Sequence, residues 1–368
     1  MGGAILNDYQ PTLSFAKKNK PKNVALLFNV NIDLLRRGKG RIKSEGERII
    51  SKEKSIAMSR EKWEEKRIGG QMGNMSLQTA SLDVDTLLNV SIPNRETLAL
   101  LNHQTFIPTV KGFLRIWALH DSDLDRKPSR YHYIVEYEND RMIFTYDPEN
   151  FEMKLNEHYF PSFEKYEKEN GKVERIILGG FHLVKPSRVS EFDEIFRSRV
   201  GIENRRIFFE SGEFQNRKTR ETFEKRFFPS LYCAGMNLCE FASHDSESLE
   251  NLNMLVMHEP EFALAWKREW KKNEKERAAK ALAFGNLCAS YKAEFGKTPG
   301  FRDFGKLKLV CRPKKEINGM IEKLKRRSRS FRALESKGEI VAVPALKAKR
   351  KFSVGLGDTF AAGCFLLI

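Results

Sequence analysis

Val24-Ala25-Leu26-Leu27-Phe28 is an unbroken apolar run, the pattern of a strand buried on both faces. It passes into Asn29-Val30-Asn31-Ile32-Asp33, whose alternation sets Asn29, Asn31 and Asp33 on one face of an extended segment and Val30 and Ile32 on the other. A polar comb at the end of a buried strand can hold hydroxyl groups, or can enter an Asx-rich turn. From about Leu35 to Arg67 the chain is charged and mostly helical in pattern, with no sheet signal. Ile68-Gly69-Gly70-Gln71-Met72-Gly73-Asn74 then opens a helix through Ser76, Leu77 and Ala80. Its glycines permit close backbone approach, so a small polar ligand could meet main-chain N–H groups and the Gln71 and Asn74 side chains. Tyr131 to Tyr137 and Arg141 to Tyr146, joined by Glu138-Asn139-Asp140, predict a β-hairpin detached enough to act as a lid.

Beyond the hairpin the pattern alternates. Arg175 to Gly180, Arg206 to Glu210, Leu255 to His258 and Ile340 to Val343 are short apolar runs, separated by amphipathic stretches such as Lys218 to Phe228 and Glu276 to Phe295. That order predicts an α/β domain around a largely parallel sheet. Glu210 closes a strand, where side chains reach the ligand side of such a sheet. Cys233-Ala234-Gly235-Met236 predicts a turn, after which Asn237 and Glu240 stand one helical turn apart on one face. That pair could hold Mg²⁺ with Glu210, or could be a helix cap. Gly355-Leu356-Gly357-Asp358-Thr359 runs into the apolar segment Phe360 to Ile368: a tight glycine turn, then a buried helix whose N-terminus attracts anions. Asp358 would there face a hydroxyl held beside a phosphate and could take its proton, or could simply cap the helix.

Composition narrows the class. At 368 residues, 40% of them apolar and 27 of them Phe, the chain can bury a large core and exceeds the usual single domain. No apolar run spans a bilayer and the N-terminal residues lack a leader pattern, so a soluble cytoplasmic protein is expected. Five cysteines, Cys233, Cys239, Cys288, Cys311 and Cys364, lack C-x-x-C spacing and are read as free thiols. The net charge of +16 admits a surface for anionic nucleotides or for nucleic acid. Most basic clusters are interleaved with Glu or apolar residues, as on solvated helix faces; the densest, Lys323 to Arg332, is the candidate should nucleic acid bind.

In their order, N-x-N-x-D (Asn29 to Asp33), G-G-Q-x-G (Gly69 to Gly73), the hairpin with Arg141, the strand ending in Glu210, Asn237-x-x-Glu240 and Val354 to Thr359 resemble the ADP-dependent glucokinase and phosphofructokinase family. That family belongs to the ribokinase-like superfamily, and the likeness runs from about Asn23 onward. It implies a three-layer α/β sandwich with a central, mostly parallel sheet plus a small sheet-containing lid. The large domain would take residues 1–35, 68–112 and 147–368, and the lid 36–67 and 113–146. The implied reaction moves the β-phosphoryl of ADP to a sugar hydroxyl with Mg²⁺ and releases AMP, in a monomer or homodimer. By motif position Asp358 resembles the catalytic base, and Arg141 a family Arg near the transferred phosphoryl. Gly355, Leu356 and Gly357 resemble the anion hole. Asn237, Val343 and Pro344 would serve the nucleotide, Glu210 and Glu240 the metal, and Asn31, Asp33, Gly69, Gly70 and Gln71 the sugar.

The chain also departs from the family. Phe208-Phe209-Glu210 stands for H-x-E, the segment after Glu240 is short, a loose alignment offers Lys54 at the glucose-selective Glu, and Tyr133 stands where fructose-6-phosphate enzymes tend to have Arg. The hairpin wording is closer to animal-type glucokinases, which inclines the expectation to glucose. Fructose-6-phosphate or another polyol, ATP as donor, and an inactive kinase-derived protein holding nucleic acid on its basic surface are the alternatives.

Overall fold

A computed structural model describes residues 2–42, 46–138, 141–201, 205–307, 314–348 and 351–368. Asn139 and Asp140 of the hairpin turn, and Cys311, lie outside them. Among the described residues the strands are β1 (Asn23–Leu27), β2 (Asn31–Arg37), β3 (Gly46–Ile49), β4 (Glu65–Gly69), β5 (Asp85–Leu88), β6 (Phe106–Thr109), β7 (Gly112–Arg115), β8 (Tyr131–Glu136), β9 (Arg141–Thr145), β10 (Arg175–Leu178), β11 (Arg206–Glu210), β12 (Cys233–Met236), β13 (Met254–His258), β14 (Phe262–Lys267) and β15 (Glu339–Pro344). Ten of them form one sheet in the order β15-β14-β13-β12-β11-β10-β1-β5-β6-β7. Its centre, from β13 to β6, is parallel, and antiparallel pairs close both edges.

Every residue of β1 is buried, as a strand covered on both faces must be. Val24 and Leu26 pack under the helices Gln71–Ser81, Glu274–Phe295 and Leu356–Phe365. Ala25 and Leu27 pack on the other face under Tyr159–Asn170, Pro186–Val200 and Arg217–Phe227, where Phe181, Phe192, Phe209, Phe223 and Phe227 meet edge to face or stacked. The alternation predicts the α/β domain and its largely parallel sheet, and the layers are those of the sandwich that the resemblance implies, with the phenylalanines as its second core. The last helix is fixed at both ends. Gly285 and Gly363 let it press on Glu274–Phe295, since a Cβ at Gly363 would lie 2.9 Å from Cys288 Sγ. At its far end Arg277 donates to the Leu367 carbonyl (2.7 Å) and Arg206 to that of Ile368 (2.9 Å), satisfying groups a helix end leaves unpaired.

The second sheet, ordered β3-β9-β8-β2-β4, confirms the hairpin as β8 and β9 and corrects the reading around it. Residues 35–67 are not mostly helical: among the described residues Lys52–Ser59 is the one α-helix there, and the end of β2, β3 and the start of β4 flank it. β2 joins the small sheet from Asn31, whereas β7 at 112–115 pairs in the large sheet. The polar comb does not run straight. Phe28 and Asn29 take left-handed φ of 72° and 51°, turning the chain from one sheet into the other. Cys233 to Met236 is no turn but the buried central strand β12; its glycine makes room for Glu210, whose Oε2 would lie 2.3 Å from a Cβ at Gly235.

Candidate active site

The carboxyl ends of the parallel strands and the start of the last helix converge on one cleft. Gly355 precedes that helix with φ of 69°, and a Cβ on it would sit 2.5 Å from Asn74 Oδ1 and 2.7 Å from Lys292 Nζ. The first-turn N–H groups lack acceptors within the helix, an arrangement that can receive an anion. Asp358, in that turn, is partly exposed to the cleft. Asn74 Nδ2 donates to Asp358 Oδ2 (3.0 Å) and to the Gly70 carbonyl (3.1 Å), so the amide is engaged within the site rather than turned to a ligand. Burial pushes the Asp358 pKa up to about 6, against the pull of Lys292, Arg141 and His258; Asp33 adds to the rise. Burial also lowers the Lys292 pKa to about 8, with Asp358 opposing. Arg141 reaches over from β9 and donates to the Ser353 carbonyl (2.9 Å) just before the glycine turn.

Glu210 lies fully enclosed at the end of β11, and His258, at the end of β13, meets its Oε1 at 2.9 Å. Phe208, which stands at the histidine position of H-x-E, packs tilted in the core against Phe365, ring centroids 5.0 Å apart, and the histidine beside Glu210 comes from β13 instead. Burial raises the Glu210 pKa to about 7. Burial works against a charged His258, yet the carboxylate overrules it and lifts that pKa to about 9. Asn237 and Glu240 form a reciprocal cap, Asn237 Oδ1 accepting from the Glu240 N–H (2.9 Å) and Glu240 Oε2 from the Asn237 N–H (2.9 Å). Glu240 is thus a cap and also a neighbour whose charge Glu210 feels. Glu210 Oε2 is buried without a hydrogen-bond partner, which fits a cation brought in by phosphate oxygens. Val343 and Pro344 end β15 opposite Ala263 and Phe262, at the same sheet end as His258 but on its outer edge, two strands from β13.

On the other wall Asn31 Nδ2 donates to Asp33 Oδ1 (2.9 Å), and Gly69 and Gly70 pack against both: a Cβ on Gly69 would lie 1.9 Å from Asp33 Oδ1, and one on Gly70 2.5 Å from Asn31 Oδ1. Gln71 joins this turn to the strand ends, accepting from the Gly180 N–H (2.6 Å) and donating to the Ser211 carbonyl. Its amide is a strut. Asn29, Asn31 and Asn150 each keep a buried Oδ1 without a donor, as acceptors for bound hydroxyls would be, and all three line one small cavity.

Sequence patterns missed a group of buried charges beside them. Glu47 on β3 accepts from Thr145 Oγ1 (2.5 Å) and meets His182 Nε2 at 3.3 Å; burial raises its pKa, but His182, His132 and Thr145 together hold it down to about 2. His132 lies 3.7 Å from Asp147 and within electrostatic reach of Asp33 and Glu47. Lys54, in contrast, is exposed on the helix Lys52–Ser59 above Phe144, and Tyr133 turns into the core beside the small sheet, where its hydroxyl donates to the Ser55 carbonyl (2.6 Å). Neither faces the cleft residues. Glu47 is the enclosed carboxylate of that stretch, and only the pairing of β3 with β9 reveals it.

A model of the ADP-specific phosphofructokinase/glucokinase conserved region matches residues 47–246. No curated protein matches the sequence. Among solved structures, a hypothetical ADP-dependent phosphofructokinase from Pyrococcus horikoshii OT3 is 17% identical, with a TM-score of 0.72 over 95% of this chain and 98% of the other. An ADP-dependent kinase in complex with fructose-6-phosphate and ADPbetaS is 14% identical, with a TM-score of 0.77 over 99% and 97%. The last common ancestor of ADP-dependent phosphofructokinases from Methanosarcinales is 15% identical, with a TM-score of 0.75 over 98% and 97%.

Proposed function

The chain belongs to the ADP-specific phosphofructokinase/glucokinase family, and on that premise we propose that it transfers the β-phosphoryl group of ADP to a hydroxyl of glucose and releases AMP, with Asp358 as base. It is an ADP-dependent sugar kinase, a phosphotransferase with a sugar hydroxyl as acceptor. The observation that carries the site assignment is the placing of Asp358 at a glycine-opened helix start, bonded to Asn74 and facing the charges of Asp33 and Arg141.

The sugar oxygen attacks the β-phosphorus, its proton passes to Asp358, and the bond from that phosphorus to the bridging oxygen breaks so that AMP departs with the electron pair. Asn31, Asp33 and the Gly69-Gly70 turn orient the sugar. The first-turn amides after Gly355, with Arg141, receive the charge of the moving phosphoryl group. Glu210, through Oε2, and Glu240 would hold Mg²⁺, which when bound neutralises diphosphate oxygens. Asn237 and the Val343-Pro344 edge lie at the sheet end where the rest of the nucleotide would extend.

Glu47 supports glucose over fructose-6-phosphate. A carboxylate held ionised beside His132 and His182 accepts from a sugar hydroxyl and opposes a phosphate dianion. The test is AMP formation from ADP and Mg²⁺ with glucose or with fructose-6-phosphate, read beside ADP formation from ATP. Glucose-dependent AMP is expected; AMP with fructose-6-phosphate alone reverses the sugar assignment, and product from ATP alone reverses the donor. Asp358→Ala should lower turnover about 1000-fold while ADP still binds, and near-normal turnover would remove Asp358 from its role.

A further inference from the structure

Lys292 stands apart from the other lysines of the helix Glu274–Phe295. It is only 4% exposed, on the face that packs against the last helix, and no carboxylate lies within 4 Å of it among the described residues. An ammonium so placed is expensive to desolvate unless its donors are met. They are met by Asn74 Oδ1 (2.8 Å) and the Gly355 carbonyl (3.2 Å). We propose that Lys292 is a positioning residue for the transfer: it fixes the Asn74 amide so that its NH₂ faces Asp358 Oδ2, leaving Oδ1 of Asp358 for the sugar hydroxyl.

The argument is one of donors and acceptors. An ammonium has donors only, so it can face the amide oxygen of Asn74 but not its nitrogen. The amide is therefore locked with both of its N–H groups pointing away, one to the Gly70 carbonyl and one to Asp358 Oδ2. Without Lys292 the amide can flip and turn its oxygen on the carboxylate. The relay also sends the lysine's charge to Asp358 through an amide rather than a direct ion pair, which would occupy the base and hold its pKa too low to take a proton from an alcohol. One side chain thus ties together the Gly69-Gly70 turn, the base and the turn that opens the anion site. The charged groups facing Asp358 are Lys292 from the long helix, Arg141 from β9, His258 from β13, Asp33 from β2 and Glu210 from β11. Arg67 on β4 faces Lys292 and Asp33, and the helix Gln71–Ser81 brings no charge.

This inference rests on Asp358 being the base, and the full-length enzyme with ADP, Mg²⁺ and its sugar tests the two separately. Lys292→Met should lower kcat about 10- to 100-fold and leave KM for sugar and ADP within about threefold. Lys292→Gln, which keeps a donor for Asn74 Oδ1, should retain most of the activity. In an Asn74→Ala background, Lys292→Met should change kcat less than about twofold, because the relay is already broken. Wild-type kcat in both Lys292 variants, or effects of Lys292→Met and Asn74→Ala that multiply, overturn the positioning role while Asp358→Asn stays inactive. Turnover by Asp358→Asn, or no transfer by the wild type, overturns the base and the inference together. Should Lys292→Met not fold, as judged by ADP binding, Lys292→Gln and Asn74→Ala decide: equal losses in both overturn the donor argument, and a loss confined to Asn74→Ala supports it.

Discussion

The two walls of the cleft are made of different things. The wall on the large sheet is shaped by backbone: a glycine turn, a helix start, a capping box and strand ends, each set by local geometry. The wall from the small sheet is shaped by enclosed charge, Glu47, His132, Asp33 and Arg141, and Glu47 and Arg141 are held by partners far along the chain. In the proposed reaction the backbone would place the phosphate and side-chain charge would choose the acceptor. A substitution on the first wall should therefore strike turnover, and one on the second should strike sugar preference.

The largest effect should come from Gly355→Ala. The new Cβ meets Asn74 Oδ1 and Lys292 Nζ at a left-handed φ of 69°. Loss of about 1–3 kcal/mol in stability and about 100- to 1000-fold in kcat is expected, measured by denaturation and steady-state kinetics. Gly171→Ala is the control: at φ 88° and ψ 171° with nothing within 4 Å, it should cost at least as much backbone strain and leave kcat unchanged. If both lower kcat alike, the anion site is not what the glycine builds.

Glu47→Gln acts on the opposite wall. It removes a charge but keeps the shape, and should lower kcat/KM for glucose about 10- to 100-fold, chiefly through KM, while fructose-6-phosphate gains or holds. An equal loss for both sugars would make Glu47 a structural support of the lid.

That contrast also explains what could be read from residues alone. Gly355 to Thr359, Asn237 with Glu240, and the parallel strands follow from neighbours in sequence, so pattern and spacing reach them. Glu47 stands in a four-residue strand whose edge carries charges, and nothing nearby in sequence says that Thr145 and His182 will close on it. β12 was missed for a related reason: a glycine that signals a turn in one dimension makes space for Glu210 and Phe365 in three. The absent family histidine is the sharpest instance. Phe208 reads as a lost contact until β13 lays His258 beside Glu210, two strands away in the sheet.

His258→Leu measures that replacement. Glu210 would keep its burial and lose the partner that favours its charged form, so the Mg²⁺ concentration for half-maximal rate should rise about tenfold, with sugar KM little changed. No change in the Mg²⁺ requirement would mean that His258 only fills space beneath Gly357, which its ring approaches closely.

The smallest effect is one of pH, and it separates the walls without a mutation. The active form of Asp358 is the carboxylate, and burial raises its pKa to about 6, so kcat/KM for the sugar should fall as pH drops through about 6 rather than near 4. At pH 6 it should stand at about half its plateau, with Mg²⁺ saturating so that Glu210, itself raised to about 7, is held ionised. Glu47 does not titrate in this range, since His182 and His132 keep its pKa near 2. Apart from what His132 contributes, its pKa raised, against its burial, by Asp147 and Glu47, and from the phosphate's own titration, the ratio of kcat/KM for glucose to that for fructose-6-phosphate should not follow the fall of both rates through about pH 6. A ratio that moves with the rates would show sugar choice and proton abstraction sharing one titrating group, and the division of labour between backbone and buried charge would fail at Asp358 itself.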